Sequence, residues 1–385
     1  MSFIMKIKHV CILQHRLLHY RVELFEKLHA ELKKNNIELH LVHGQPTKNE
    51  LAKKDTGNIQ WADVVKNKYI SISGRDILWQ PYPKHLENID LVIMMQENRL
   101  LSNYPWLFFR GKNKPKIGYW GHGKNFQSRQ KTGLREIWKQ LLINKVDWWF
   151  AYTELTRDIL KESQYPDNRV TVLNNAIDNI GFEQDLDSIT SSQEQALRQQ
   201  INADSHSKIA LFCGSLYPEK RLTYLIKAAD IIYKAIPEFK LVFIGDGPSR
   251  DEIVLATESR PWMSWQGVQK GRDKAGWYKI SDVVLNPGLV GLHVLDSFCA
   301  GSPMITTSDA MHSPEIAYLK HQQNGVVVEG DEQKYAAEII ALFKDDSLLN
   351  KLKQGALKDA GEYTLNNMVN NFSEGVQACL KMKRL

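Results

Sequence analysis

Cysteine is scarce and scattered in this sequence: Cys11, Cys213, Cys299 and Cys379 are the only four in 385 residues, and no two form a C-x-x-C pair. Three of them sit inside apolar strand or helix patterns, which excludes a disulfide scaffold and points to a reduced, cytoplasmic compartment. Long apolar runs are also missing. The nearest case, LLINKVDWWFAY, is interrupted by Lys145 and Asp147, so no membrane span is expected. The opening residues, MSFIMKIKHVCIL, have neither a continuous apolar core nor a small-residue cleavage site and read as a strand, not as a signal peptide. No H-x-x-x-H occurs and no Cys/His cluster has zinc-like spacing, so neither a bound metal nor another cofactor is predicted. Internal repeats and low-complexity tracts are absent too.

What is present is ordinary in bulk and uneven in place. The chain is 43% hydrophobic and 24% charged, the composition of a globular protein with material for two cores. Its net charge of +6 is confined to the first part: residues 1–185 hold 28 Lys+Arg against 20 Asp+Glu, and the remainder 22 against 24. Seven of the ten tryptophans lie there as well, and NYPWLFFRGKNKPK and REIWKQLLINKVDWWF mix aromatic with basic residues. Two readings stand side by side: peripheral contact with an anionic membrane face, or a solvated basic face beside ordinary core aromatics. Nucleic acid is not an expected partner, because no recognised binding module accompanies the charge.

Short apolar runs alternate with amphipathic stretches, the pattern of parallel sheets built from strand-helix-strand units, so the class is α/β. The first series of strands is HVCILQ, IELHLVHG, LVIMM, KIGYWG, WWFAY and VTVLNN. RVELFEKLHAELKK and LREIWKQLLIN, with apolar residues three and four apart, are predicted helices between them. The polar stretch 181–207 is expected to connect the domains through a short helix. A second series follows: KIALFCG, KLVFIGDG, MSWQGV, DVVLNPG, PMITT and GVVVE, each ending in or followed by Gly, Pro or polar residues. The expected domains are 1–180, joined by a C-terminal helix over 365–385, and 181–364.

Three segments of the second domain have the character of ligand loops. GSLYPEKR, residues 214–221, joins a buried strand to a helix: Gly214 permits close backbone approach, and Lys220 offers a point charge to a diphosphate. The competing reading is a strand-ending turn and an exposed lysine. IGDGPS, residues 244–249, makes tight turns in which Gly245 and Gly247 either touch a ligand or only shape the chain. NPGLVGLHVLDSFCAGSPMI, residues 286–305, opens from a strand into a glycine-containing loop and a helix. Backbone N–H groups at Gly291, Leu292 and His293 suit a diphosphate, and the Asp296 carboxylate suits a pair of ribose hydroxyls unless it merely complements the helix dipole.

The order G-x-L-x-x-E-K, I-G-D-G-P, G-L-x-x-L-[acid]-x-x-x-x-G-x-P, P-E, N-G over residues 208–330 resembles glycosyltransferase family 4. In the first part the likeness rests on Tyr20 and Arg21, the GHG at residues 121–123, AYTE at 151–154 and LNNAID ending at Asp178. The resemblance implies a GT-B fold of two Rossmann-like domains facing a central cleft, and retention of anomeric configuration. It also implies that no metal is obligatory. Donor phosphates would be held by Lys220, with Gly214, Ser215, Gly245, Gly247, Gly267, Val268, Gly291, Leu292, His293, Asp296 and Glu315 completing the donor set. His122 matches a position near the donor sugar, making it and Lys220 the catalytic candidates, while His15, Tyr20 and Arg21 follow the first strand where an acceptor would enter. Two departures stand out. Ser215 replaces the usual Arg, and the family's Glu-x7-Glu pair is here Gly288 and Asp296.

The expected activity is transfer of a hexose from a nucleotide-sugar, a substrate and not a cofactor, to a glycan, lipid-linked, in the assembly of surface polysaccharide. Rival readings are a sugar-nucleotide epimerase and a non-catalytic nucleotide-sugar binding subunit. A dinucleotide dehydrogenase is disfavoured, since QHRLLHYR after the first strand lacks the glycines of a pyrophosphate turn. The DLD at Asp185 to Asp187 spells a metal-binding triplet but follows no apolar strand.

Overall fold

The computed structural model describes residues 6–47, 50, 55–72, 75–109, 111, 114–123 and 142–385. Residues 134–141 of the helix expected over LREIWKQLLIN lie outside them. The chain divides into two compact units, Met1–Ile177 with Leu365–Leu385, and Asp178–Thr364.

The first unit is built on strands β1 (Lys8–Gln14), β2 (Ile37–Gly44), β3 (Asp63–Val65), β4 (Lys68–Ile72), β5 (Arg75–Trp79), β6 (Leu91–Met95), β7 (Lys116–Gly121), β8 (Trp148–Ala151) and β9 (Val170–Val172). Seven of these form one parallel sheet in the order β3-β2-β1-β6-β7-β8-β9, and β4 and β5 make a separate antiparallel hairpin. The central strands read as unbroken apolar runs because helices cover both of their faces. β3 and the hairpin are additions to the expected strands. The helix Val22–Lys34 lays Leu24, Phe25, Leu28 and Leu32 into the core and packs against the C-terminal helix Leu365–Lys381. That last helix is tied to the unit through Phe372, whose ring meets Phe150 at 4.8 Å and Trp120 at 5.2 Å. Lys116 Nζ at the start of β7 donates to the carbonyls of Cys379 (2.7 Å), Leu380 (2.8 Å) and Met382 (2.5 Å), the groups that a helix end leaves unpaired.

The second unit contains β10 (Lys208–Cys213), β11 (Phe239–Ile244), β12 (Met263–Trp265), β13 (Val283–Leu285), β14 (Met304–Thr307) and β15 (Gly325–Val328), all parallel, in the order β12-β11-β10-β13-β14-β15. The expected connector over 181–207 needs correction. It holds two helices, Ile180–Ser188 and Ser191–Gln200, that belong to this unit. Phe182 and Leu186 are buried, with Phe182 edge-on to Tyr278 at 5.4 Å, so a narrow apolar stripe suffices to dock an otherwise polar segment. A capping box at Thr190 and Gln193 starts the second helix. Asp185 and Asp187 lie on the first of these helices.

Both sheets share one winding. Counted from each unit's first strand, the order runs 3-2-1 and then jumps to the strands on the other side, placing a topological switch point beside β1 and β6 in one unit and beside β10 and β13 in the other. No described helix is long and apolar enough to cross a membrane.

Candidate functional site

At the carboxyl end of β10 the chain passes through Gly214 and Ser215 to a 3-10 turn, Pro218–Lys220, and enters the helix Leu222–Ala235 through Arg221, a non-glycine residue held in the left-handed region at φ +56°. From β13 it runs through the loop 286–292 into the short helix His293–Cys299. These two connections are stitched together: Leu289 N–H donates to Glu219 O (2.9 Å), Lys220 Nζ donates to Leu289 O (2.5 Å), and Asn286 Nδ2 donates to the same carbonyl (3.1 Å). Thr307 on β14 ties both sides, donating to Pro287 O (2.7 Å) and accepting from Arg221 (3.0 Å).

Lys220 is the electrostatic centre of this arrangement. It is 3% exposed, so the reading of an exposed lysine is excluded, and no carboxylate pairs with it among the described residues. Burial pulls its pKa down to about 8, which leaves it largely charged at neutral pH. A buried ammonium held by one carbonyl and the face of Tyr217 at 5.8 Å is poorly compensated and attracts an anion. Gly214 lies beside it: a Cβ there would stand 3.9 Å from Nζ. Ser215 is exposed.

Gly288 occupies the position of the missing carboxylate, and the structure shows why no side chain fits. A Cβ would fall 2.3 Å from Glu219 O and 2.4 Å from Lys220 C, so the backbone of the Lys220 turn fills that space. Gly245 has a similar constraint. At φ +133° its Cβ would lie 1.9 Å from Gly214 O, and a Cβ on Gly247 would lie 2.4 Å from Leu216 O. Together with Leu216 N–H donating to Asp246 O (3.0 Å), these two glycines support the turn that carries Lys220. Gly267 accepts from Gly245 N–H at 2.8 Å, and Val268 is largely exposed.

Asp296 is buried and forms an ion pair with Lys274 Nζ at 3.1 Å. Burial raises its pKa, and the nearby ammonium opposes that shift. His293 Nε2 lies 3.1 Å from Asn286 Nδ2 and accepts from it. Burial and then the charges of Lys220 and Lys274 hold its pKa well below the ordinary range, so the ring is neutral. The segment carrying Glu315 is fastened to the loop of Gly291 and Leu292: His312 Nδ1 accepts from Val290 N–H (3.2 Å), its Nε2–H donates to Thr307 O (2.6 Å), and Ser313 N–H donates to Val290 O (3.0 Å). Glu315 itself is buried and engaged within the fold.

In the first unit a cavity of about 160 Å³ opens at the switch point and is lined by His15, Tyr20, Arg21, Gln96, Trp120 and His122, among others. It gathers the four residues singled out in this half of the sequence. His15 lies between Glu50 (3.4 Å) and Glu97 (3.6 Å), with Arg99 Nη2 3.1 Å away. The bond to His15 contributes most to holding the Glu50 carboxyl far below its usual range. Gln96 closes both sides of the GHG turn, donating to Gly123 O (3.2 Å) and accepting from Gly123 N–H (3.0 Å), and so positions His122, whose ring stands edge-on to Tyr152 at 4.2 Å. Lys220 and His122 fall in different units.

Sequence reasoning missed Lys274, Asn286, His312, Gln96, Trp120 and the ion pairs around His15. Asn286, the first residue of the expected segment 286–305, had a usable signal in its place at the strand end. Lys274 had none, because it lies on a helix with no ligand motif. Among the described residues, no group of three or more His, Cys, Asp or Glu side chains is gathered to hold a metal ion.

Residues 193–359 match the family described as glycosyl transferases group 1. Among curated proteins, the chain is 25% identical to alpha-monoglucosyldiacylglycerol synthase of Acholeplasma laidlawii over 44% of this chain and 43% of that one. It is 22% identical to D-inositol 3-phosphate glycosyltransferase of Thermobispora bispora over 61% and 56%. The chain thus spans about half the length of these relatives. Among solved structures, Anabaena Alr3699/HepE in complex with UDP superposes with a TM-score of 0.69 at 14% identity, covering 96% of this chain and 100% of that one. WaaG, a glycosyltransferase involved in lipopolysaccharide biosynthesis, gives 0.59 at 12% over 95% and 98%. These likenesses establish the GT-B fold.

Proposed function

We propose that the chain is a group 1 glycosyltransferase, GT4-like, on the GT-B fold it shares with its structural neighbours, and that it acts as a retaining hexosyltransferase. In this reading it takes a nucleotide-sugar and glycosylates a lipid-linked glycan at the cytoplasmic membrane face, in surface-polysaccharide assembly. The observation that carries the reading is Lys220, a buried cation without a carboxylate partner among the described residues, fixed at a sheet switch point, where ligands bind in folds of this class.

Its charge would receive the nucleoside diphosphate as the bond to the sugar breaks, and stabilisation of that leaving group would supply most of the catalysis. Asp296, oriented by Lys274, would accept from two ribose hydroxyls. No protein nucleophile is required. The acceptor hydroxyl attacks from the leaving-group face, and a phosphate oxygen takes its proton. No metal or other cofactor enters the scheme. The relatives support the substrate classes by analogy: one is named as a synthase of a glycolipid, and HepE has been solved with UDP-glucose.

The test is a screen of UDP-, GDP- and ADP-sugars for released nucleoside diphosphate, with and without added glycan, followed by determination of the product anomer. If none is turned over and none raises the melting temperature, the enzyme reading fails. Turnover independent of any acceptor would instead favour an epimerase.

A further inference from the structure

The cavity at the first unit's switch point is lined by two donor-only groups that find no acceptor among the described residues. Arg21 is 5% exposed, lines the cavity, and leaves its buried Nη1 without a hydrogen-bond partner. Its guanidinium lies over Trp120 at 4.6 Å, with Tyr20 at 5.4 Å and Tyr152 at 5.7 Å, and no carboxylate pairs with it among the described residues. Trp120 lines the same cavity, is fully buried, and its indole Nε1–H is likewise unpartnered. The neighbouring charges are already matched: Arg16 binds Asp55 at 2.6 Å, and Glu97 binds Arg99 at 2.7 Å.

A guanidinium and an indole N–H can only donate, so their missing partner must be rich in acceptors. Aromatic faces compensate part of the buried charge but accept no in-plane hydrogen bond from the guanidinium edge. Glu50 lies within 3.7 Å of both Arg16 and Arg99, so those cations are taken up by carboxylates, and Arg21 is the one arginine lining the cavity that no carboxylate meets among the described residues. With about 160 Å³ of free space, the cavity has room for a compact oxyanion.

We infer that this cavity is an oxyanion subsite that takes a phosphoryl group through Arg21 and Trp120. A phosphoryl group is favoured over a carboxylate because it offers three acceptor oxygens to donors that diverge from two side chains. Resting on the transferase reading above, the inference specifies the acceptor as one that carries a phosphoryl group.

The experiment measures thermal stabilisation of the full chain by inorganic phosphate, octyl phosphate, octanoate and UDP. It compares the unsubstituted protein with Arg21→Gln, Arg21→Lys and Lys220→Ala. Octyl phosphate should stabilise saturably and more strongly than octanoate. Arg21→Gln should weaken it about tenfold or more and Arg21→Lys about threefold, while Lys220→Ala leaves it unchanged and weakens UDP instead. Inorganic phosphate acting as well as octyl phosphate would assign the site to the free ion and overturn the acceptor assignment. Arg21→Lys keeps a buried cation, so it answers the question if Arg21→Gln does not fold. Equal octyl phosphate binding with and without Arg21, loss of that binding in Lys220→Ala, or tighter binding of octanoate overturns the proposal. UDP failing to stabilise any form, while octyl phosphate still depends on Arg21, would overturn the donor reading and leave this subsite standing.

Discussion

The two switch points have the same strand order and are furnished in different ways. Beside β10 and β13 the walls are mostly backbone: Gly245, Gly247 and Gly288 are stripped of side chains so that turns can touch, and one buried ammonium, Lys220, is held by the carbonyl of Leu289. Beside β1 and β6 the walls are side chains: Arg21 on Trp120, His15 between two carboxylates, and Gln96 bridging a turn. Backbone walls suit a ligand portion that never varies, such as a diphosphate. Side-chain walls can be rewritten residue by residue, as an acceptor site requires.

The strongest way to break this comparison is to remove the one side chain on which the backbone-built site depends. Lys220→Ala should lower kcat/KM by about 10²–10³, read in a nucleoside diphosphate release assay, with the fold checked by circular dichroism. A loss under threefold would mean that backbone alone holds the donor. The second substitution adds a side chain where the site excludes one. Gly288→Glu, although it restores the family's carboxylate, should cost about 1–3 kcal/mol or more in urea unfolding, because Glu219 and Lys220 must move. Improved donor turnover at unchanged stability would show that the turn yields readily.

The charge of Lys220 gives a further test. Its folded pKa, about 8, is below that of an unfolded lysine, so the ammonium form is the less favoured one in the fold. Donor affinity should therefore be level below pH 8 and fall by about tenfold per unit above it. Between roughly pH 8 and 10.5 the unfolded chain binds the extra proton, so this group's contribution makes the ligand-free protein more stable as pH rises. Calorimetric titration and unfolding over that range measure the two opposite slopes. The smallest effect is expected at Asp296, where Asn keeps an acceptor for the ribose but breaks the pair with Lys274. The donor KM should rise about three- to tenfold with kcat little changed.

The contrast also governs what could be read without coordinates. Glycine motifs announce backbone walls, so the turns at 214–221, 244–249 and 286–305 were legible as loops after strands. The runs VCIL, LVIMM and WWFA were legible as buried parallel strands because both of their faces are covered. Gln96, Trp120 and Lys274 were not legible, since each is an ordinary residue made relevant by a partner distant in sequence. The helices over 180–200 were misjudged because their docking stripe rests on a few residues, Phe182 and Leu186 foremost, among many polar ones. The hairpin of β4 and β5 was overlooked because KYISI and RDILW are only five residues long and neither alternates polar with apolar positions.

The grip of Lys116 on the end of the helix Leu365–Lys381 bears on the order in which a ribosome can deliver this protein. The unit spanning Asp178–Thr364 is continuous and can close as soon as it has emerged. The unit that holds Met1–Ile177 must wait, with Trp120 and Phe150 uncovered, until Phe372 has been made after the whole of the other unit. During synthesis, the half made first is the half finished last.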